Sequence, residues 1–418
     1  MKKYIITQEN LKTSKGEQDF IVSALYDENK KMLEVSLSEK EETSILGNLY
    51  IGRVENVVKN LNAAFIRISP EQVCYYSMED YKQPLFTKKI SQKKPLVEGE
   101  ELVVQVSREA LKTKDPAVTT NLNFTGRYVV LTTENQRIGI SSKLGKSDKE
   151  RLRELSEQIA HPDFGLILRT NAKDASDEEI LSEIQELKAE WNQLKETAEH
   201  KTCYTCLKKE LPAYLKETVN LPTKEVDELI VDDRTLFEQI CSMYGIHETE
   251  LWTIGTVSVP VNEVKVNDTL RVRYYNDSLL SLSALYSVKS SLEKALSEKV
   301  WLKSGAYLII QPTEALTVID VNTGKNVAKK DVQENFLRIN KEAAIEIAHQ
   351  IRLRNISGIV IVDFMNLASQ EAEAELLNTF RSELKKDPVP TQLIDITKLG
   401  LVEVTRKKVR KSLREILN

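Results

Sequence analysis

The stretch Thr317–Lys325, TVIDVNTGK, begins as a buried strand and ends as a polar turn. Asp320 follows the apolar residues Leu316, Val318 and Ile319. Asn322 stands two residues further on, on the same side of an extended chain. Just upstream, AYLIIQ (residues 306–311) reads as a neighbouring strand. Downstream, KDVQENFLRINKEAAIEIAHQIRLRN (330–355) places Val332, Phe336, Ile339, Ala343, Ile347 and Ile351 along one helical side. Gly358 then opens GIVIVDF (358–364), an uninterrupted apolar run of the kind found in a strand covered on both faces. Strand, helix, strand is a βαβ unit, whose two strands run parallel and are joined by a right-handed crossover. Parallel strands end at one edge of the sheet, where ligands of open α/β sheets bind. Asp320 and Asp363 end the two strands, so the topology predicts that they meet.

Two carboxylates brought together repel, and one takes up a proton unless a cation lies between them. Oxygen-only ligation suits Mg²⁺, which binds one or two carboxylates together with waters and substrate phosphates. Such a site fits phosphodiester chemistry. The structural alternative is that both aspartates only cap strand ends. The TGK at 323–325 is not a phosphate-binding P-loop, because the upstream glycine of GxxxxGK[ST] is missing.

The chain has 418 residues, too many for one ordinary core, and about two to four domains are expected. With 41% apolar and 29% charged residues, it has a globular rather than a disordered composition. No apolar run approaches the ~20 residues of a membrane span. The start, MKKYIITQENLK, lacks the apolar core of a secretory signal, so a cytoplasmic location is expected. The four cysteines (Cys74, Cys203, Cys206 and Cys241) are too few for a disulfide scaffold. A net charge of −4 rules out a generic basic coat for nucleic acid. Local basic runs remain, at Lys88, Lys89, Lys93 and Lys94 and from Arg406 to Lys411, and solubility alone would account for them.

Residues 1–40 alternate in short apolar bursts and read as strands. GNLYIGRVENVVKNLNAAFIRIS (47–69) holds two strand-like runs around the polar turn 59–62, and short strands continue to residue 106, the pattern of a small β-barrel. YVVLTT, IGISS and FGLILRT make 122–170 rich in strands. From residue 175 the pattern turns helical, with Ile180, Leu181, Ile184, Leu187 and Trp191 on one face and Ser176 or Asp177 as cap.

LKSGAYLIIQPTEALTVIDVNTGK (302–325), FLRINKEAAIEIAHQIRLRNISGIVIVDF (336–364) and LGLVEVTRKKVRKSL (399–413) resemble the catalytic region of the ribonuclease E/G endoribonucleases, nearer the ribonuclease G branch. GNLYIGRVENVVKNLNAAFIRI is similar to that family's S1-type barrel, and AVTTNLNFTGRYVVL (117–131) with GLILRT (165–170) to its 5′-end sensor. The resemblance implies an α/β, multi-subdomain fold. An RNase H-like subdomain would be split between 1–40 and 217–290, with an S1-type OB-fold barrel at 41–121 and the sensor at 122–216 inserted. A DNase I-like catalytic subdomain would fill 291–418. It further implies Mg²⁺-dependent endonucleolytic cleavage of single-stranded, A/U-rich RNA in rRNA processing or mRNA decay, leaving 5′-phosphate and 3′-hydroxyl ends. Asp320 and Asp363 would bind the metal, and Asn322 would position Asp320 and the scissile phosphate region.

By the same resemblance, Arg169 and Thr170 would grip a 5′-monophosphate with help from Gly126 and Val130. An arginine fork suits a phosphate dianion. The family's second sensor arginine falls at Ser142, with Lys143 beside it as a substitute point charge. Phe65 matches a base-stacking aromatic, although a core role is equally open, and Tyr75 and Tyr76 lie near a second one. Arg108 and Lys114 match basic positions near the barrel's exit, plausible contacts to phosphates. Two departures stand out. No cysteine follows Cys241, so zinc is not expected at the C-terminus and a homodimer would form without the family's zinc link. Asn366 stands where the family usually has a second aspartate. Cys203 and Cys206 form one CxxC, half of a structural zinc ligand set, and are either incidental or shared between two chains. The alternative to an enzyme is a non-catalytic S1-type RNA-binding protein derived from the family.

Overall fold

The computed structural model describes residues 2–40, 44–93, 95–110, 115–134, 136–159, 164–222, 225–246, 252–253, 259–324 and 332–418. The chain divides into two compact units: Met1–Lys40 with Thr223–Asn418, and the intervening Glu41–Pro222.

The first unit contains two six-stranded sheets. In one, the order is Glu263–Lys265, Arg271–Tyr274, Glu228–Val231, Lys3–Thr13, Gly16–Tyr26, Met32–Glu39. The N-terminal hairpin turns tightly, with Gly16 at φ +111°, a conformation that glycine adopts without a Cβ penalty. Lys3–Thr13 also pairs in parallel with Glu228–Val231, so the two chain segments of this unit are joined by backbone hydrogen bonds. Ile5, Phe20, Val22, Tyr26 and Ile230 form its core with Leu292 and Leu413.

The other sheet runs Lys299–Trp301, Tyr307–Pro312, Leu316–Asn322, Gly358–Asp363, Val402–Arg406, Thr391–Ile396. Leu316–Asn322 and Gly358–Asp363 are parallel neighbours, and the helix Val332–Leu353 crosses between them, which is the βαβ unit predicted. Ile339, Ala343, Ile347 and Ile351 of that helix pack with Phe380 of the helix Gln370–Leu384 against Ile319, Val321, Val360 and Val362. Each fully buried Val or Ile contributes about 1.5–3 kcal/mol. The predicted stripe starts later than its spacing implied, since Val332 is exposed and Phe336 half-buried.

GIVIVDF is covered on one face, not two. Val360 and Val362 are buried, but Ile359 is 51% exposed, as are Val318 (37%) and Trp301 (64%) on the same side of the sheet. Among the described residues the two helices pack on one face only, and the opposite face presents Val318, Ile359 and Trp301 to solvent together with the polar Asp320, Asn322 and Asp363.

In the second unit, the strands Leu49–Val58, Ala63–Ser69, Gln72–Ser77, Ala117–Thr119 and Glu101–Arg108 form a ring, closed by pairing of the last with the first. This closed five-stranded β-barrel encloses Val54, Ile66, Ile68, Tyr76, Leu102 and Val104. Asn123–Thr125, Val129–Thr132, Gly165–Leu168 and Ile138–Ile140 make a separate four-stranded sheet. The helix Asp177–Glu199 lays Ile180, Ile184, Leu187 and Trp191 on it, against Phe124, Leu131 and Leu166. Of the two candidate caps Ser176 takes the role, in a reciprocal capping box with Glu179. Asp177 instead pairs with Arg151 at 2.5 Å. The protein is therefore a mixed α/β structure with an OB-like barrel. No helix among the described residues is long and apolar enough to cross a membrane.

Candidate active site

Asp320 and Asp363 are register partners on adjacent parallel strands, which sets their Cα atoms roughly 4.8 Å apart. Burial alternates along Leu316–Asn322: Thr317, Ile319 and Val321 face the helices, while Val318, Asp320 and Asn322 face the open side. The two carboxylates thus sit on the uncovered face, close to the C-terminal ends of their strands. Asp320 is half-buried and Asp363 exposed. The strand extends through Asn322, whose Nδ2 donates to Asp320 Oδ2 at 2.7 Å and fixes that carboxylate's orientation.

Asn340 and Gly324 help shape this edge, and Arg406 ties down the opposite end of the sheet, where it pairs with Gly358. Asn340, fully buried on the crossover helix, donates to Met365 O (2.8 Å) and accepts from Met365 N–H (3.1 Å), which pins the loop that follows Asp363. Gly324, two residues after Asn322, has φ +65°, and a Cβ there would overlap Gly305 O. Arg406 is buried. Its Nε reaches Asp387 Oδ2 at 2.8 Å and its Nη1 reaches Asn355 Oδ1 at 2.6 Å. Arg406 therefore locks the sheet from within, although its neighbours in the basic C-terminal run, Lys407 and Lys408, are exposed. Asn366 is exposed in the loop beyond Asp363.

The second cluster of named residues lies in the four-stranded sheet. Arg169 follows Gly165–Leu168; its backbone N–H donates to Tyr128 O (2.8 Å) and its Nη1 to Gly126 O (2.5 Å). Burial pushes its guanidinium pKa below the ordinary value. Thr170 Oγ1 is 3.0 Å from Ser141 Oγ, which also accepts the N–H of Lys143 (3.4 Å). Ser142, where the resemblance expects an arginine, accepts from Lys149 Nζ through its carbonyl (2.9 Å). Val130 pairs in the sheet with Thr125 and Ile167.

Sequence reasoning missed Glu183. Its carboxylate accepts the consecutive backbone N–H groups of Arg127 (2.5 Å), Tyr128 (2.7 Å) and Val129 (2.8 Å). Burial pushes its pKa up, opposed by these amides and by Arg169. A Cβ on Gly126 would stand 2.5 Å from the Glu183 carboxyl carbon, so the carboxylate requires glycine there. The signal was present: Glu183 lies on the apolar stripe, between Ile180 and Leu187, where a solvated acid does not belong.

In the barrel, Phe65 is half-buried on the outward side of its strand, opposite the core residues Ile66 and Ile68. It meets Tyr75 edge-on, with ring centroids 6.3 Å apart. Tyr76 is fully buried and its hydroxyl bonds Thr120 (3.0 Å), so Tyr75 is the accessible member of the tyrosine pair. Arg108 is exposed at a strand end, and Lys114 lies outside the described residues. Cys203 and Cys206 are half-buried where a short strand rejoins the barrel, with thiol pKa values raised by burial. Among the described residues, no group of three or more His, Cys, Asp or Glu is arranged to hold a metal.

The comparisons bear on both clusters. The model of the Ribonuclease E/G family matches residues 123–409, a span that includes Asp320, Asp363, Arg169 and Glu183. Ribonuclease G of Salmonella typhimurium (strain SL1344) is 30% identical over 397 residues, covering 92% of this chain and 77% of the relative. Ribonuclease G of Haemophilus influenzae is 31% identical over 402 residues, with the same coverage of 92% and 77%. Ribonuclease E of Nostoc sp. is 31% identical over 375 residues, covering 89% of this chain and 52% of the relative. A family match that takes in both the paired aspartates and the arginine-bearing loop, with relatives aligned along nine-tenths of the sequence, makes this chain a member of the ribonuclease E/G family.

Proposed function

We propose that this endoribonuclease cleaves single-stranded, A/U-rich RNA at Asp320, Asn322 and Asp363, leaving 5′-phosphate and 3′-hydroxyl ends, in rRNA processing or mRNA decay in the cytoplasm. The observation that carries the reading is the register of Asp320 with Asp363 on an uncovered sheet face, with Asn322 bonded to Asp320. Two carboxylates with, among the described residues, no His or Cys grouped with them fit Mg²⁺, which completes its shell with water and phosphate oxygens. When bound, that ion supplies charge neutralisation at a phosphoryl oxygen and a water of lowered pKa. Asp320 and Asp363 would hold it through their carboxylate oxygens. Asn322 keeps Asp320 in one orientation, and the Asn340 bonds to Met365 keep the Asp363 loop in place.

The subdomain layout follows the same reading. The split sheet is the RNase H-like part, the barrel the S1-type OB domain, the four-stranded sheet the 5′-sensor, and the sheet with the aspartates the DNase I-like part. Arg169 and Thr170, with Gly126, Val130 and Lys143, would receive a 5′-monophosphate, and Phe65 and Arg108 would contact RNA on the barrel. The deciding experiment is cleavage of a 5′-monophosphorylated A/U-rich RNA oligonucleotide with Mg²⁺ and with EDTA, comparing wild type and Asp320→Asn. Internal cuts only with wild type and Mg²⁺ are expected. RNA that is bound but never cut would overturn the proposal in favour of a non-catalytic RNA-binding protein.

A further inference from the structure

Strand register sets a second group of residues beside the aspartates. Trp301 pairs with Tyr307, and Tyr307 pairs with Asn322, so these three form one row across the sheet. Lys299 pairs with Ile309, Ile309 with Asp320 and Asp320 with Asp363, so these four form the next row. Cross-strand partners share a face, and here it is the uncovered one: Leu308 and Val321 point to the helices. Trp301 lies on the edge strand and is 64% exposed. Its ring meets Tyr307 at 5.3 Å and 61°. Lys299 Nζ stands 4.0 Å from the Trp301 ring centroid and 3.7 Å from that of Tyr307. Among the described residues no carboxylate pairs with this ammonium.

We propose that Trp301, supported by Tyr307 and Lys299, is a stacking platform for an RNA base next to the scissile phosphate. The inference rests on the reading of Asp320 and Asp363 as the cleavage site. An indole this exposed offers a flat apolar face that water solvates poorly, and every nucleobase has a π-face to lay on it, whatever the sequence. The ammonium beside the rings adds attraction for the phosphate backbone. Two strand spacings, roughly 10 Å, separate the Trp301 strand from the Asp320 strand, so one RNA strand can span both. The platform would grip a nucleotide flanking the cut and leave the cut itself to the aspartates.

The test uses the full chain. With EDTA present to prevent cleavage, intrinsic fluorescence is followed while a 5′-monophosphorylated A/U-rich oligonucleotide is added. Wild type is expected to be quenched, and Trp301→Phe to lose most of that quenching while binding nearly as tightly. With Mg²⁺, Trp301→Ala is expected to raise KM about 5- to 150-fold, the range of a single base stack, at nearly unchanged kcat, and Trp301→Phe to restore most of the loss. Unchanged KM in Trp301→Ala, or quenching that persists in Trp301→Phe, overturns the platform. So does a Trp301→Ala variant that binds RNA normally but sediments as a smaller species, which would make this face a contact with a second copy. Failure of the cleavage reading looks different: Asp320→Asn would cut at the wild-type rate while the effects of Trp301 on RNA binding stood.

Discussion

The protein carries two outward-facing aromatic pairs, Phe65–Tyr75 on the barrel and Trp301–Tyr307 on the C-terminal sheet. Their surroundings differ. On the barrel, Arg67, two residues from Phe65 on the same side of the strand, is spent on Glu55 and on the carbonyl of Pro70. On the sheet, Lys299 lies over both rings, and the aspartates occupy the same row as that lysine. On the proposed reading, both pairs hold a base, and only the sheet pair does so beside the proposed cleavage site.

The largest expected effect separates holding from cutting. Asp363→Asn should lower kcat by about a thousandfold or more, since several kcal/mol of charge stabilisation depend on the site, with RNA affinity nearly unchanged. Phe65→Ala should do the reverse, raising KM by roughly fivefold or more at constant kcat; equal effects of the two variants on kcat would collapse the distinction. Next in size is the scaffold. Arg406→Ala should destabilise the protein by about 3–5 kcal/mol, because it leaves Asp387 buried without its partner. Urea denaturation would measure this, and no aromatic substitution on the open face should match it.

A smaller effect concerns the proposed sensor around Arg169. Arg169→Ala should erase a preference for 5′-monophosphorylated over 5′-hydroxyl RNA, and Glu183→Ala should weaken it by releasing Gly126–Val129, while cleavage of 5′-hydroxyl RNA stays near wild type. A Glu183→Ala variant with a stronger preference would show that the carboxylate competes with the phosphate instead.

The smallest effect is in pH dependence, where buried Glu100 and half-buried Glu183 should have opposite signs. Glu100 is fully buried, yet the N–H groups of Ser91, Val97 and Ile90 and the Lys89 ammonium outweigh burial and hold its carboxyl below the ordinary value. Its contribution to stability is complete above pH 4.5, the unfolded value, and is lost as pH falls through the folded one. Burial raises Glu183, so the folded protein binds its proton more readily than the unfolded one, and stability falls as pH rises from 4.5 through the folded value. Denaturation midpoints of Glu100→Gln and Glu183→Gln, relative to wild type across this range, should slope in opposite directions.

The βαβ unit was legible because its signals are local: helical spacing around Ile339–Ile351 and an apolar run before Asp363. The meeting of Asp320 with Asp363 followed from topology. The open second face did not, since an apolar run looks the same whether or not something covers it. Residue parity on the barrel strand decides that Tyr76 is core and Tyr75 is not, and that parity depends on register. Trp301 went unnoticed for the same reason, because its relation to Asp320 passes through two strand pairings that no sequence window contains. Glu183 was visible as an acid on an apolar stripe, but its partners are backbone amides, which leave no mark on a sequence.

The parallel pairing of Lys3–Thr13 with Glu228–Val231 has a consequence during synthesis. Lys2 N–H bonds Asp227 Oδ2 across 225 positions. At the usual pace of translation, the partner strand emerges roughly 10–45 seconds after the first. The N-terminal hairpin can form within microseconds, but its outer edge must then wait with unpaired amides while Glu41–Pro222 is made and folds. A ribosome that stalls within that segment would leave the edge bare, a template for pairing with another chain. The order of emergence therefore finishes the barrel before the sheets that flank it in sequence can close.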